Sequence, residues 1–320
     1  MKSIKLQEND IVDIIFPATC CTESEIAAIK NYVKNELNLI PRILFEEEIT
    51  PTKTENLTNE FPSFPAKTRF KQFYQALKNK DSKIVWCARG GYGSGDILSF
   101  LSKAKKIKQN KIFIGFSDVC SVTTFLQDQW KWQILCAPVL AQLSKNIIEK
   151  EAVTELKNLI FSKKTKFNYD LIALNNIKKT INKSFISGGC ISVLAGHFGT
   201  KYQINFQNKI LFLEDEGEDG ERLDRYFRQI IDLILSTKKQ PKAILLGNFM
   251  EANSHGAPKA HNIEIAIGRF VERIQDAKLK IPVFLAKDRN LGHSKKMRPL
   301  ILGCNSRIIS KPHLQLEYDK

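Results

Sequence analysis

The chain has 320 residues, of which 43% are hydrophobic, and a formal net charge of +15. Its length favours two domains, each with its own apolar core. Clustered Lys and Arg side chains would indicate a nucleic-acid partner, but here the lysines are spread along the whole sequence without interleaved aromatic residues. We therefore interpret the charge as a solvated surface and expect no specific nucleic-acid partner.

The seven cysteines form no CxxC pair and leave an odd one. This pattern is more typical of reduced thiols in a cytosol than of a disulfide framework. The N-terminal stretch has no apolar core of signal-peptide length, and no apolar run elsewhere is long enough to span a bilayer. The sequence therefore predicts a cytoplasmic protein with no membrane partner.

Strand and helix patterns alternate along the first half of the chain. This alternation is typical of an α/β fold, with a parallel sheet flanked by helices. A polar segment with three prolines interrupts it and is predicted to be a loop. The predicted elements are strands at 11–16, 42–45, 84–88 and 112–116, helices at 23–36 and 68–78, and the loop at 46–65.

The second half has a less regular pattern, which predicts a mixed, β-rich domain. A Lys- and Asn-rich stretch with few apolar runs separates the halves. We predict an α/β domain at 1–145, a connecting segment at 146–184 and the β-rich domain at 185–320. Within the last, strands are predicted at 209–213, 243–249, 281–285 and 298–303, and a helix at 221–235.

Ser117 follows an apolar run at 112–116 and precedes a segment with helical apolar spacing. It is therefore predicted to lie on a strand-to-helix turn. At such a turn the side chain projects clear of the sheet, and backbone N–H groups at the helix start point toward the same space. Ser117 is thus a candidate nucleophile, although serine is also a preferred helix cap.

A glycine-rich loop, Arg89-Gly90-Gly91-Tyr92-Gly93-Ser94-Gly95, follows the predicted strand at 84–88. Glycines let a backbone approach another group closely. The loop lacks the Lys-Ser/Thr ending of a phosphate-binding loop and only loosely imitates a dinucleotide fingerprint. Turns after parallel strands gather at the carboxyl edge of a sheet, so we expect this loop and Ser117 to face one cleft.

The second half supplies a candidate acid and a candidate base. Glu214 ends a predicted strand, and His293 lies in a polar loop between two strands. A serine hydroxyl needs a base to take its proton, and a neutral imidazole held by a carboxylate is the usual arrangement. Local sequence also fits an ordinary loop histidine and an acidic surface run. The rival bases are His197, His255, His261 and His313.

Five motifs, in this order over nearly the entire chain, resemble the motif series of the LD-carboxypeptidases. That family includes the muramoyltetrapeptide carboxypeptidases and the microcin C self-immunity peptidases. The motifs are Cys87-Ala88-Arg89-Gly90-Gly91-Tyr92-Gly93, Ile114-Gly115-Phe116-Ser117-Asp118, Gly188-Gly189-Cys190 with Gly199-Thr200, Leu213-Glu214-Asp215 with Asp224-Arg225, and Gly292-His293.

The resemblance implies a serine peptidase whose triad is Ser117, Glu214 and His293, assembled from two domains and commonly homodimeric. We expect the backbone N–H groups of Gly91 and Asp118 to hold the oxyanion. The implied substrate is a cytoplasmic murein tetrapeptide that loses its C-terminal D-alanine during peptidoglycan recycling. No cofactor and no metal are expected, since no close His/Cys pair has the spacing of a zinc site.

Two departures from the family pattern leave the substrate open. Cys190 stands where the family usually has asparagine, and Cys136-Ala137-Pro138 replaces a His-Gly-Pro-like segment. One alternative is therefore a related hydrolase that acts on a peptide-nucleotide antibiotic. A different class of protein, one that binds an anionic ligand in the glycine-rich cleft without catalysis, is the other alternative.

Overall fold

The computed structural model describes residues 4, 6–49, 64–161, 166–177, 180–250, 260–309 and 315–319. The chain forms two compact units. The first consists of Met1–Thr165 and Met297–Ile301, and the second consists of Lys166–Lys296 and Leu302–Lys320.

The described strands and helices are numbered in chain order. The strands are β1 (Ile11–Ile15), β2 (Ile40–Ile43), β3 (Ser82–Cys87), β4 (Ile112–Ile114), β5 (Ile134–Cys136), β6 (Lys166–Ala173), β7 (Ile181–Cys190), β8 (Ile210–Glu216), β9 (Ala243–Met250), β10 (Val283–Ala286), β11 (Leu300–Leu302), β12 (Asn305–Ile309) and β13 (Gln315–Asp319). The helices are α1 (Glu23–Leu37), α2 (Glu46–Ile49), α3 (Ala66–Lys78), α4 (Leu98–Leu101), α5 (Cys120–Phe125), α6 (Leu140–Ser144), α7 (Lys150–Ile160), α8 (Ile191–Ala195), α9 (Gly220–Thr237) and α10 (Ala260–Asp276).

The first unit is built on a six-stranded sheet with the order β11-β5-β4-β3-β1-β2. Strands β1 to β5 pair in parallel. Strands β3 and β4 are almost wholly buried and apolar, as expected for a parallel sheet that is covered on both faces. Because the strands run in one direction, the turns that follow β1, β3 and β4 come together at their carboxyl ends.

Helix α1 shows how the sequence sets the flanking helices. Thr22 and Glu25 form a capping box, in which each side chain accepts a hydrogen bond from the other residue's backbone N–H. The helix ends at Asn38, whose backbone is left-handed. The side chains of Ile26, Ile29, Val33 and Leu37 are buried along one face, which fixes the helix against the core.

The second unit contains a closed barrel with the strand order β10-β6-β13-β12-β7-β8-β9. Strands β7, β8, β9 and β10 pair in parallel, and the remaining described pairs are antiparallel. Gly188 on β7 has a φ of +147°, and a Cβ atom there would lie 1.8 Å from the carbonyl oxygen of Phe212. The Gly188-Gly189 pair therefore lets β7 approach β8, the strand that carries Glu214.

Helices α9 and α10 supply much of the apolar core of the second unit. The rings of Phe227 on α9 and Phe270 on α10 are stacked with centroids 4.3 Å apart, and both are fully buried. Leu211 and Leu213 of β8 belong to the same cluster. The helix pair thus anchors the strand that leads to Glu214. Of the helices in the described part of the chain, none combines the length and the apolar character needed to cross a bilayer.

The structure confirms the predicted fold class, an α/β sheet unit followed by a mixed, β-rich unit. All seven cysteines are buried. The start of the predicted loop at 46–65 is helical, because Glu46–Ile49 forms α2; residues 50–63 lie outside the described part.

The division of the chain differs from the predicted domain boundaries. The segment predicted as a connection, 146–184, holds helix α7, all of strand β6 and the start of β7, and the units meet in sequence at Thr165 and Lys166. Strand β11, predicted within the second domain, joins the sheet of the first unit. Its short apolar run gave no local sign of the sheet to which it belongs.

We expect Phe227→Ala to lower the free energy of unfolding by about 3–5 kcal/mol, because it removes a buried aromatic ring and leaves a cavity beside Phe270. Leu235→Ala on the same helix is the matched control. Leu235 is exposed, so its loss should change stability by about 0.5 kcal/mol or less. Denaturant titration measures both values, and equal losses for the two variants would contradict this description of the core.

Candidate active site

Ser117 lies where β4 gives way to α5, as the sequence predicted. The backbone is extended at Phe116, turns left-handed at Ser117 with a φ of +66°, and then enters a short 3-10 turn that leads into the helix. Such a conformation is uncommon for a residue with a Cβ atom and costs on the order of 1–3 kcal/mol. Strain of this kind is a feature of turns that present a nucleophile.

Glycine at position 115 allows this turn to pack closely. A Cβ atom there would lie 2.8 Å from the Cys87 sulfur and 3.1 Å from Cγ1 of Val119. Position 115 thus joins the end of β4 to both the neighbouring strand and the following helix. A larger residue would push the turn away from the sheet.

Gly90 of the glycine-rich loop lies directly against Ser117. A Cβ atom on Gly90 would come within 2.9 Å of the Ser117 Cβ and 3.1 Å of its Oγ. Thr19, which follows β1, fixes the loop in place: its N–H donates to the Gly90 carbonyl at 3.3 Å, and its Oγ1 accepts the N–H of Tyr92 at 2.9 Å. The structure therefore brings together the loop and the serine.

The side chain of Asp118 ties the turn to the glycine-rich loop. Its Oδ2 accepts the N–H of Ser94 at 2.8 Å, and the Ser94 hydroxyl donates to the Asp118 carbonyl at 2.5 Å. Burial raises the pKa of the Asp118 carboxyl, and the hydrogen bonds from Ser94 and Gly93 partly offset that rise. The Asp118 carboxyl group thus accepts a hydrogen bond from the glycine-rich loop. Its backbone N–H is therefore the group of Asp118 that is suited to bind a ligand.

A buried arginine that the sequence analysis missed stabilises the same loop. Arg69 on α3 donates to the carbonyl oxygens of Pro17 and Gly93 at 2.7 and 2.6 Å, and to Asp96 at 2.9 Å. Its side chain is only 2% exposed. Because a guanidinium has five donors, one residue holds the end of β1 and both sides of the loop. Its position in an otherwise ordinary amphipathic helix gave no sequence signal.

Of the predicted oxyanion donors, Asp118 directly follows Ser117, and Gly91 directly follows Gly90, which lies against the serine. Gly91 is exposed and has a φ of +104°, and a Cβ atom there would meet Thr19 Oγ1 at 2.2 Å. Asp118 follows the serine at the start of the helical segment, where N–H groups lack intrahelical acceptors. Among the described residues, no acceptor takes the backbone N–H of either one.

In the second unit, Glu214 and His293 form a buried pair. Glu214 Oε2 lies 2.6 Å from Nδ1 of His293 and also accepts the backbone N–H of His293 at 2.9 Å. Both side chains are 5% exposed or less. A carboxylate on Nδ1 fixes the orientation of the imidazole and leaves Nε2 for proton transfer. The structure thus joins the two residues, 79 positions apart, that the sequence analysis selected as acid and base.

Backbone geometry holds the histidine loop against β8 and β9. Gly292 has a φ of +88°, and a Cβ atom there would lie 2.4 Å from Glu214 Oε2. Asn248 donates from its side chain to the His293 carbonyl and from its backbone N–H to the carbonyl of Leu291. Asn248 and its neighbour Gly247 ended a predicted strand, but nothing in the sequence indicated that they support His293.

Three carboxylates determine the charge state of the imidazole. Burial by itself would lower the pKa of His293, but the charge and hydrogen bond of Glu214, with the charges of Glu216 and Asp215, raise it to about 9. Glu216 Oε2 lies 3.4 Å from Nε2, on the side of the ring opposite Glu214. The raised pKa favours the protonated imidazole at neutral pH.

Asp215 has a separate task from its neighbours in the acidic run. Its Oδ2 accepts the N–H of Ser192 at the start of α8, and its Oδ1 accepts the N–H of Glu216. Burial and the charge of Glu214 raise the pKa of Asp215 to about 6, although the Ser192 hydrogen bond opposes the rise. Asp215 thus connects β8 to the start of α8, which directly follows the Gly188-Gly189-Cys190 end of β7.

Of the rival histidines, His197 is the one whose side chain lies in the described part of the chain. His197 is half-buried beside Tyr202, and burial lowers its pKa. The side chains of His255, His261 and His313 lie outside the described residues. Within the described ranges, no group of three or more His, Cys, Asp or Glu side chains has the arrangement of a metal site.

The family model of the LD-carboxypeptidase N-terminal domain matches residues 12–137, and that of the C-terminal domain matches residues 183–308. Together the two models cover most of the chain, in the order of the two units. The chain belongs to the LD-carboxypeptidase family. It is accordingly a serine-type carboxypeptidase, and the resemblance drawn from the motifs is confirmed.

Two relatives resemble this carboxypeptidase in sequence. A Rickettsia prowazekii protein, named only provisionally as a carboxypeptidase, is 30% identical over 310 residues, which is 96% of this chain and 89% of that protein. The murein tetrapeptide carboxypeptidase of Pseudomonas aeruginosa is 28% identical over 215 residues, which is 65% of this chain and 68% of that protein.

Solved structures share the fold. The muramoyltetrapeptide carboxypeptidase of Oxalobacter formigenes has a TM-score of 0.75 at 21% identity, over 97% of this chain and 99% of that one. The microcin C7 self immunity protein MccF has a TM-score of 0.70 at 17% identity, over 99% of this chain and 97% of that one. At these identities the likeness concerns the fold, and it is similar for the two proteins.

We expect Gly90→Ala to lower kcat/KM of the carboxypeptidase by roughly 100-fold or more, since the new methyl group would displace Ser117, and an error of about 1 Å can cost that much. The backbone of Gly90 is not left-handed, so the fold should persist. Gly268→Ala on α10 is the matched control, because a Cβ atom there meets nothing within 4 Å. Peptide hydrolysis and a thermal melt test both, and full activity in Gly90→Ala would contradict the described contact.

We expect Glu216→Gln to lower the pKa of His293, because it removes a carboxylate that lies 3.4 Å from Nε2 and favours the charged ring. NMR titration of the His293 ring across neutral and alkaline pH measures the value. Asp232→Asn, which removes an exposed carboxylate from α9, is the control and should leave it unchanged. An identical titration curve for Glu216→Gln and the wild type would refute this assignment.

Proposed function

We propose that this protein is an LD-carboxypeptidase that removes the C-terminal D-alanine from a murein tetrapeptide, with Ser117, Glu214 and His293 as its catalytic triad. The observation that carries the proposal is the buried pair formed by Glu214 Oε2 and His293 Nδ1 at 2.6 Å. A histidine buried against a carboxylate, in a chain that also presents a serine on a strained turn, is the combination that acyl transfer requires.

The proposed reaction begins with proton transfer to His293. Neutral Nε2 takes the proton of the Ser117 hydroxyl, and the serine oxygen attacks the carbonyl that precedes the terminal residue. Glu214 keeps Nδ1 as the donor side of the ring and stabilises the imidazolium that forms. The same imidazolium then protonates the leaving amine, and water releases the peptide from the serine.

Backbone N–H groups stabilise the tetrahedral intermediate in this proposal. Gly91 and Asp118 flank the serine in the first unit, and no acceptor in the described residues takes their N–H groups. Fixed donors of this kind stabilise developing negative charge without reorganisation. Loss of one such donor typically costs about 100- to 1000-fold in kcat.

The assignment of a murein substrate rests on sequence similarity to a relative and not on the geometry of the site. The Pseudomonas aeruginosa relative that aligns with two thirds of this chain is named for murein tetrapeptide hydrolysis. The fold does not choose between a murein peptide and a peptide-nucleotide amide, because named structures of both kinds of protein are similarly close. We favour the murein peptide because it is the substrate named for the sequence relative.

The cellular setting and the assembly of the protein follow from the same substrate. A murein peptide that returns from the wall is hydrolysed in the cytoplasm, so we propose a cytoplasmic role in peptidoglycan recycling. The free thiols fit a reducing compartment. We also propose a homodimer, on the resemblance to the family, and light scattering coupled to gel filtration measures its mass.

Mass spectrometry of a murein tetrapeptide incubated with the purified protein tests the proposed function. We expect loss of one D-alanine, abolished by Ser117→Ala, with kcat/KM rising as pH increases through about 9. The sign follows because the reaction needs neutral His293, and the pKa of His293 is raised to about 9.

Two controls make the experiment decisive. Ser121→Ala, which removes a nearby serine on α5, should retain turnover. A peptide joined to a nucleotide through an amide is assayed beside the tetrapeptide. Turnover by Ser117→Ala would refute the nucleophile, and cleavage of the nucleotide conjugate alone would refute the murein substrate.

A further inference from the structure

The carboxyl end of β3 carries a cation next to the nucleophile. Arg89 immediately precedes Gly90, the residue whose backbone touches Ser117. Both neighbours of Arg89 are anchored: the N–H of Ala88 donates to Ile15 and its carbonyl accepts from Ala141, while Gly90 accepts from Thr19. The position of Arg89 relative to the serine is therefore fixed within the first unit.

A second cation changes the electrostatics around Arg89. Glu25 Oε1 accepts Lys145 Nζ at 2.5 Å, whereas the Arg89 guanidinium is 3.6 Å from Glu25 Oε2, too far for a hydrogen bond. Lys145 and Arg89 together lower the pKa of Glu25, although burial opposes them. Two cations thus share one carboxylate, and the group retains a net positive charge.

The donors of Arg89 remain available to a ligand. The Arg89 side chain is 44% exposed, and within the described residues Glu25 is its one carboxylate partner. A guanidinium has five donors and binds a carboxylate best through two parallel hydrogen bonds. Lys145 makes the shorter contact with Glu25. Glu25 therefore competes less with an incoming carboxylate for the Arg89 guanidinium.

The group that distinguishes a carboxypeptidase substrate is its free α-carboxylate. The free α-carboxylate lies one residue beyond the scissile bond, and one residue corresponds to roughly 3.8 Å between consecutive Cα atoms. Arg89 is adjacent in sequence to Gly90, the residue that lies against the attacking serine, so the Arg89 side chain leaves the backbone within one residue of that contact. We propose that Arg89 binds the free terminal carboxylate of the substrate, with Lys145 holding Glu25 away from it. This inference rests on the proposed function, because it names the residue that makes the peptidase a carboxypeptidase.

Two matched peptides test the inference, one ending in D-alanine and the other in D-alanine amide. We expect the wild type to prefer the free acid. Arg89→Gln should lower kcat/KM for the acid roughly 10- to 100-fold, mainly through KM, and lower it less for the amide, so that the preference is lost. Arg89→Lys should recover part of the preference, since it restores the charge without the paired donors.

Charge rescue provides an independent readout. Lys145→Gln should weaken the preference for the acid, because Glu25 is then free to pair with Arg89. The double variant Glu25→Gln and Lys145→Gln should restore it, and glutamine preserves the capping box of α1. Arg228→Gln, on the exposed face of α9, is the matched control and should change neither substrate. Thermal melts check that every variant is folded.

The outcomes separate this inference from the proposed function. If the wild type hydrolyses the acid and Arg89→Gln keeps the same acid-to-amide ratio, Arg89 does not bind the carboxylate and the proposed function stands. If the wild type hydrolyses neither peptide, the proposed function fails and this inference fails with it. Loss of the ratio in Arg89→Gln together with rescue in the double variant supports it.

Discussion

The hydrogen bond between Glu214 and His293 is the interaction on which the second unit's chemistry depends. A carboxylate that is 1% exposed is unfavourable unless it is paired, and Glu214 has one oxygen bonded twice to His293 while Oε1 has no partner in the described residues. The buried negative charge and the imidazole therefore require each other. This mutual need explains why the pKa of His293 is raised although the ring is buried, and why the glycine at 292 and the amide of Asn248 are arranged to hold the loop rigidly.

The two units position their functional side chains in similar ways. In each, a functional side chain lies at or just beyond the carboxyl end of a parallel strand, and a glycine replaces a side chain that would keep a neighbouring loop away. Gly90 does this for Ser117, and Gly292 does it for Glu214. Hydrogen bonds from residues without a chemical role then fix the loops, through Thr19 and Arg69 in the first unit and Asn248 in the second. Precise placement thus comes from close backbone approach more than from the chemistry-bearing residues.

The sequence predicted those features of the structure that are marked by a local pattern or by a family motif. The turn at Ser117 was predictable because an apolar run, a glycine and a helical pattern occur within a few residues, and Glu214 and His293 were predictable from the motif series. Arg69 and Asn248 were not, because their roles depend on contacts across 24 to 52 residues that no local pattern encodes. The same limit applies to the assignment of strands: β11 and β6 have ordinary strand composition, and only tertiary pairing decides which sheet or barrel each one joins.

Residues 297–301 belong to the first unit although they follow most of the second unit in the sequence, and this affects the order in which the two units are completed. The sheet of the first unit is completed at one edge by β11, a strand that follows most of the second unit in the sequence. Truncation after residue 165 would leave that sheet one strand short, with β5 as an unprotected edge. Synthesis from the N-terminus therefore delivers the last strand of the first unit only after most strands of the barrel, so the first sheet is complete only in a chain that also contains most of the second unit.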